Sequence, residues 1–284
     1  MSKRLFNMFR SFIILFFLFN LKIAVHSQRS QKQNFYSLSE FGPTFGYMYY
    51  LGDLNPSKQF YNQKSGIGLM YRYNVHPRLT YRFNFLAGSV EANDSDSKND
   101  ILRNRNLSFH SNIQELSGGL EFHYYKYQLG NNRYRFTTYM IIQAGLFHFN
   151  PATTLNGDTL FLQPLGTEGQ GTTYGKKRKY LRYQPSIPIG IGAKFCLGKY
   201  TNINLDIALR KTFTDYIDDV GANYNVDPNA FDQDQSVAEE LSNRTLDGSR
   251  YGKRGNSSTS DWFVYYSFSI TFRLGRTNKC AFPR

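Results

Sequence analysis

The stretch Ser186–Leu197, "SIPIGIGAKFCL", decides the fold. Ile187, Ile189, Ile191, Ala193, Phe195 and Leu197 are apolar and take every second position. Ser186, Pro188, Gly190, Gly192, Lys194 and Cys196 fill the places between. Side chains alternate across a β-strand, so this is a strand with one apolar face and one small or polar face. The apolar face meets either a second sheet or lipid, and the rest of the chain separates the two.

The pattern returns along the chain. Pro43, Phe45, Tyr47, Tyr49 and Leu51 alternate with Gly42, Thr44, Gly46, Met48 and Tyr50. Ile67, Leu69, Tyr71, Tyr73 and Val75 alternate with Gly66, Gly68, Met70, Arg72 and Asn74. Leu79, Tyr81, Phe83, Phe85 and Ala87 alternate with Thr80, Arg82, Asn84, Leu86 and Gly88. Further strands are expected over Glu115–Tyr124, Tyr139–Phe149, Asn202–Arg210 and Trp262–Leu274. Tyr139–Phe149 is apolar on both faces and its phase is not readable. With the opening stretch this makes eight strands, each close to the ~10 residues that a tilted strand needs to cross a bilayer.

The connections decide the architecture. "NVHPR" (Asn74–Arg78), "YQLGNNRY" (Tyr127–Tyr134) and "GKYT" (Gly198–Thr201) are short. Gly52–Ser65, Glu91–Asn112, Asn150–Tyr183 and Thr212–Ser260 are long. Short and long alternate strictly, which puts all short turns at one end of an up-and-down sheet. An outer-membrane barrel has this asymmetry, and a soluble sandwich does not need it. The expected fold is all-β, an eight-stranded antiparallel up-and-down transmembrane β-barrel with short periplasmic turns and long external loops.

Composition agrees. The chain has 284 residues, of which 17% are aromatic and 19% charged. A mean hydropathy of −0.50 excludes a bundle of membrane helices but suits strands whose apolar residues are diluted by alternation. Residues 1–27 read as a secretory signal: Lys3, Arg4 and Arg10 precede an apolar core, Phe12–Leu21, too short to span a bilayer. Removing the four cations of this segment (Lys22 included) leaves +9 of the net +13. On an exported chain that charge points to anionic lipid or a protein partner, not to nucleic acid. Two cysteines, Cys196 and Cys280, cannot build a disulfide framework.

The minor face carries Arg72, Arg82, Glu115, Glu121, Lys194, Asp206, Arg210 and Arg273 among glycines. These are the candidates for a charge network filling a narrow lumen, since eight strands leave room for side chains and little else. Gly192, on that face, is expected to tolerate alanine unless packing is tight. Tyr49, Tyr71, Tyr73, Tyr81, Tyr124, Trp262 and Phe272 lie near strand ends, where aromatic girdles sit.

Chemical motifs are sparse. "DSDSKND" (Asp94–Asp100) lacks the glycine and closing glutamate of a calcium loop and reads as a solvated loop. "GTEGQGT" (Gly166–Thr172) has no following Lys-Ser/Thr pair and reads as a flexible external turn. "KKRK" (Lys176–Lys179) reads as a solvated charge run able to meet lipopolysaccharide phosphates. "TDYIDD" (Thr214–Asp219) reads as a hydrogen-bonded loop anchor. No histidine has metal-ligand spacing, and no catalytic residue, metal or cofactor is expected.

Several blocks resemble a known family. "YYLGDLNPS" (Tyr49–Ser57), "GLMYRYNVHPR" (Gly68–Arg78), "NRNLSFHSNIQELS" (Asn104–Ser117), "LQPLGTEGQGT" (Leu162–Thr172), "LRKTFTDYIDDV" (Leu209–Val220) and "KRGNSSTSDWFVYYSFSITFR" (Lys253–Arg273) are similar to a Bacteroidota outer-membrane barrel family. That family includes PorG of the type IX secretion system. The resemblance implies an outer-membrane location and, for PorG-like members, association with the periplasmic PorK and PorN proteins. It supplies no catalytic residues. The expected organisation is a signal over 1–27, a barrel over 28–275 and a periplasmic tail over 276–284. The expected function is a non-enzymatic anchor or adaptor for a secretion or envelope complex; a lipid-modifying barrel enzyme and a small passive pore are the rivals. Candidate partner-facing residues on the periplasmic rim are His76, Arg78, Lys126, Asn131, Arg133 and Lys199.

Overall fold

The computed structural model describes residues 37–130, 133–171, 178–221, 236–249 and 254–274. The expected signal and tail, Asn131, Lys176, Lys177 and Cys280 lie outside the described residues. Strands β1 (Leu38–Leu51), β2 (Lys64–His76), β3 (Leu79–Asn93), β4 (Ser108–His123) and β5 (Phe136–Leu155) are followed by a short β6 (Asp158–Phe161). Then come β7 (Tyr183–Cys196), β8 (Thr201–Thr212) and β9 (Trp262–Leu274). Short helices α1 (Asp100–Arg105), α2 (Leu162–Leu165) and α3 (Ser236–Ser242) lie in the long loops.

Each strand pairs antiparallel with its neighbours. Pairing of β4 with β5 and of β1 with β9 closes the sheet, so eight strands form the barrel and β6 only extends β5. The opening stretch is β7, held between β5 and β8 with Ile191 opposite Met140 and Ile207. The alternation becomes an inside and an outside. Phe45, Ile67, Leu116 and Leu205 are exposed by 52%, 60%, 66% and 58%, while Arg72 and Lys194, one face away, are at 0%. In β5 the structure assigns the phase: Thr137, Tyr139, Ile141, Gln143 and Phe147 point in, and Met140, Ile142 and Leu146 point out.

Three strands run longer than the sequence suggests. β3, β4 and β5 continue past the apolar belt, and the connection after Asn150 is not plain loop but the β5–β6 hairpin. Its turn is Asn156 and Gly157, both at positive φ, the two-residue geometry that matches strand twist. The outward residues at this level turn polar: Glu91 on β3, which Lys64 reaches at 2.9 Å, and Gln114, His148 and Asn150 on β4 and β5. That collar marks the outer limit of the apolar wall.

Candidate functional site: the filled lumen and its two mouths

The inner half of the lumen is ionic. Glu121, on β4, receives Arg72 Nε at 2.6 Å and Arg82 Nη1 at 2.9 Å on Oε1. Arg82 Nη2 donates to Asp206 Oδ2 at 2.8 Å, and Arg72 Nη1 donates to Asn204 Oδ1 at 2.9 Å. Lys194 Nζ stands 3.5 Å from Glu121 and 3.7 Å from Glu40. The Tyr127 and Tyr139 rings face the same ammonium at 4.9 Å and 5.6 Å. Higher up, Arg210 lies 3.5 Å from Glu115, whose other oxygen accepts from Ser186 at 2.9 Å. Seven of the eight candidate lumen residues thus meet in ion pairs. Arg273 does not: it is half-buried and joins no ion pair among the described residues, although its register partner is Glu40.

Sequence reasoning missed Glu40, Asn204 and Tyr139. Glu40 lies in phase with Gly42 and Thr44, two residues before the strand was started, and the same period extended backwards would have found it. Tyr139 was hidden in the unphased strand; its hydroxyl donates to Asp206.

The inner mouth is closed by the β4–β5 connection. Tyr127 and Leu129 fold into the barrel end and pack with Leu38 and Cys196. Tyr127 donates its hydroxyl to Asn202 and its amide to Pro77 O at 3.0 Å. Cys196 is a free, buried thiol that donates to Gly198 O at 2.8 Å. Around this lid, His76, Arg78, Lys126, Arg133 and Lys199 are all exposed, on the three short turns.

The outer half is apolar. Met48, Tyr50, Leu86, Ile113, Phe147, Phe263 and Tyr265 point in from the strands. With Phe109 near the start of β4, they continue into Leu54, Leu107, Leu162, Ile217, Val220 and Leu241 from the loops. Between the two halves is a cavity of about 10 Å³, lined by Thr44, Asn84, Gln143 and Arg210 among others, space for about one water.

Over the apolar plug the external loops form a polar cap, and here one loop expectation holds only in part and one fails. "DSDSKND" is not wholly solvated: Asp94 is buried and takes Arg105 Nε and Nη2 at 2.7 Å each, because the turn of α1 brings that arginine back over the loop. "GTEGQGT" is no loose turn: Thr167, Glu168 and Gln170 are buried. Thr167 donates to Asp219, and Glu168 accepts Arg254 Nη1 at 3.0 Å and Gly221 N at 2.9 Å. "TDYIDD" does anchor its loop. Tyr50 Oη lies 2.5 Å from Asp218 Oδ2 and 2.6 Å from Asp261 Oδ1. One hydroxyl proton cannot serve both, so one of these carboxyls carries its own. Burial pushes Asp218 well above the carboxylate range and Asp261 up to about 8, and the two carboxylates repel. Burial also raises Asp219 to about 6 against the opposing pull of Arg254.

Among the described residues, the histidines set no acyl-transfer arrangement. His110 and Ser111 are strand neighbours and face opposite ways. Thr80 Oγ1 and Glu121 Oε2 both approach the same His123 nitrogen, Nε2, at 3.5 Å and 3.4 Å. A relay needs the acid on the other ring nitrogen. All three groups are buried beneath the lid. Among the described residues no cluster of His, Cys, Asp and Glu has metal-binding geometry.

Among proteins of curated function, none matches the chain significantly. Among solved structures, the chain is similar to Ail, the attachment invasion locus protein of Yersinia pestis, at 10% identity and TM-score 0.38, covering 84% of this chain and 97% of that one. Neisserial surface protein A is similar at 8% identity and TM-score 0.39, covering 83% and 97%. A major outer membrane protein of Thermus thermophilus is similar at 10% and 0.40, covering 83% and 99%. At these identities and scores the likeness says nothing of function. Residues 11–283 match the family described as "Domain of unknown function (DUF6089)", and the chain belongs to that family.

Proposed function

We propose that the protein is an outer-membrane barrel that serves as a non-enzymatic anchor or adaptor for a secretion or envelope complex, in the manner of PorG in type IX secretion. The observation that carries the membrane reading is the wall. Large apolar side chains stand exposed on all eight strands of a closed sheet, while the charges are inside. In water such a surface would aggregate; in lipid it is the favoured arrangement, with every strand edge paired. The adaptor reading rests on a lumen that is filled and covered at both ends, which disfavours a pore. The wall also leaves only its two ends to meet other proteins. The inner end presents short, rigid, basic turns around His76, Arg78, Lys126, Arg133 and Lys199, suited to an acidic periplasmic surface such as a PorK/PorN-like assembly. The outer end meets lipopolysaccharide.

Two measurements test it. The protein should fractionate with outer membranes and show heat-modifiable gel mobility; recovery as a soluble species would end the reading. Charge reversal at Arg78, Arg133 and Lys199 should leave the barrel assembled but lose the co-purifying periplasmic partner and lower secretion. A folded triple variant that keeps every partner and secretes normally would remove the inner rim as the interface.

A further inference from the structure

We infer that the loop joining β1 to β2 is a lipid-interface wedge, with Phe60 inserted at the upper edge of the outer leaflet. This rests on the membrane reading above and adds to it a contact made by a loop rather than by the wall. The first observation is a covered wall residue. Along β1 the outward residues Phe45 and Tyr47 are exposed by 52% and 50%, yet the next one, Tyr49, is at 2%. Gln59 and Phe60 cover it: Tyr49 Oη donates to Gln59 at 2.8 Å, and the Tyr49 and Phe60 rings stand 5.4 Å apart. Phe60 also meets the outward ring of Tyr266 on β9 at 5.6 Å. The first part of the loop, through Leu54, joins the plug over the mouth; the part holding Gln59 and Phe60 folds down the outside of the barrel at the level of the polar collar.

The second observation is backbone strain. Phe60 has φ +56° and Asn62 has φ +44°. The left-handed region suits asparagine, but a bulky side chain there is an outlier that the surroundings must hold in place. The fold gains no interior packing from it, because the ring stays 52% exposed. What the turn does achieve is to aim an aromatic ring outward while its carbonyl is satisfied within the loop by Gln63 Nε2 at 2.6 Å. A satisfied carbonyl lowers the cost of approaching an apolar layer, and aromatic rings are favoured at its boundary. The Phe60 surface is continuous with the lipid-facing wall through Tyr266 and Tyr47, so the occupant is lipid.

Hydroxyl-radical footprinting of the wild-type barrel in bilayers tests this with three phenylalanines of equal geometric exposure. Phe83 on the wall is exposed by 52%, Phe60 by 52%, and Phe161 on β6, beyond the collar, by 51%. Both Phe83 and Phe60 should be oxidised at least ~5-fold less than Phe161, since lipid excludes water from them. Protection of Phe83 with Phe60 oxidised like Phe161 would overturn the wedge and leave the membrane reading standing. Oxidation of Phe83 like Phe161 would overturn both. A second probe is Phe60→Trp combined with Trp262→Phe, which makes position 60 the sole indole. Its emission should be quenched more by lipids brominated near the headgroup than by lipids brominated near the chain end. Emission typical of water, with no quenching by either lipid, would overturn the wedge.

Discussion

The two halves of the lumen solve one problem with different chemistry. Towards the short turns, the interior is filled by arginines, a lysine and carboxylates that satisfy one another; towards the long loops, it is filled by aromatic and aliphatic side chains. The charges of the ionic half come from strands alone and stay inside the barrel, with the Tyr127 ring added from a turn. The apolar half grows out of the barrel into Leu54, Leu107, Ile217 and Leu241, so it fixes the loops as well. An ionic plug has directional bonds that suit a register; an apolar plug spreads wherever there is surface to bury. The comparison teaches that this barrel's rigidity has two sources that should fail separately.

The largest effect is expected from Glu121→Ala. It leaves Arg72, Arg82 and Lys194 without their shared carboxylate, at or above the ~3–5 kcal/mol of a broken buried pair. The heat-modifiable band should be lost; its persistence at wild-type temperature would show the ionic half to be dispensable. Phe147→Ala opens the outer plug between Phe149 and Phe263 and should cost about 3–5 kcal/mol. The external loops should become protease-sensitive while the inner network, read by the mobility shift, persists. If both halves melt together, the separation is wrong.

On the wall, Ile191→Arg faces lipid and should cost about 2–4 kcal/mol. Gly192→Ala, one residue on, is not the mild change its sequence context suggests. An added Cβ would collide with Asp206 Oδ1 and the Tyr139 ring, so a loss of about 1–3 kcal/mol is expected. A thermal midpoint for Gly192→Ala equal to wild type would mean that the ionic half gives way more readily than its packing indicates.

The smallest effect is one of pH, and it belongs to the cap. Asp261 and Asp219 have folded values of about 8 and about 6 against an ordinary 3.8. The folded cap therefore holds protons that the unfolded chain releases. Their contribution is complete below pH ~4 and is lost as pH rises through 6 to 8, by up to ~1.4 kcal/mol per proton per pH unit. Limited proteolysis of the loops should be slower at pH 6 than at pH 9, and Asp261→Asn should flatten the dependence. Faster cleavage at pH 6 would reverse the sign and refute it.

What could be read in advance follows from range. The strand faces in β2, β3, β4, β7, β8 and β9 were legible because period two is written in neighbouring residues. Seven lumen residues were legible because they sit on the minor face of such strands. The cap was not. Tyr50 meets Asp218 and Asp261, and Arg105 meets Arg254 O at 2.6 Å, across most of the chain. No local pattern announces which loop covers which. Gly166–Gly171 looked solvent-loving because glycine, threonine and glutamine are polar on average, whereas here their polar atoms are spent inside a hydrogen-bonded cap.

The seam between β1 and β9 also sets an order in time. Glu40 on the first strand belongs to a network completed by Lys194 on β7 and Asp206 on β8, and Thr271 on the last strand donates to Glu40 at 3.2 Å. Until the last strand docks on the first, that glutamate has no finished site, and a half-built wall would carry unneutralised charge towards hydrocarbon. On the membrane reading proposed above, closing the seam and completing that glutamate's site are one event.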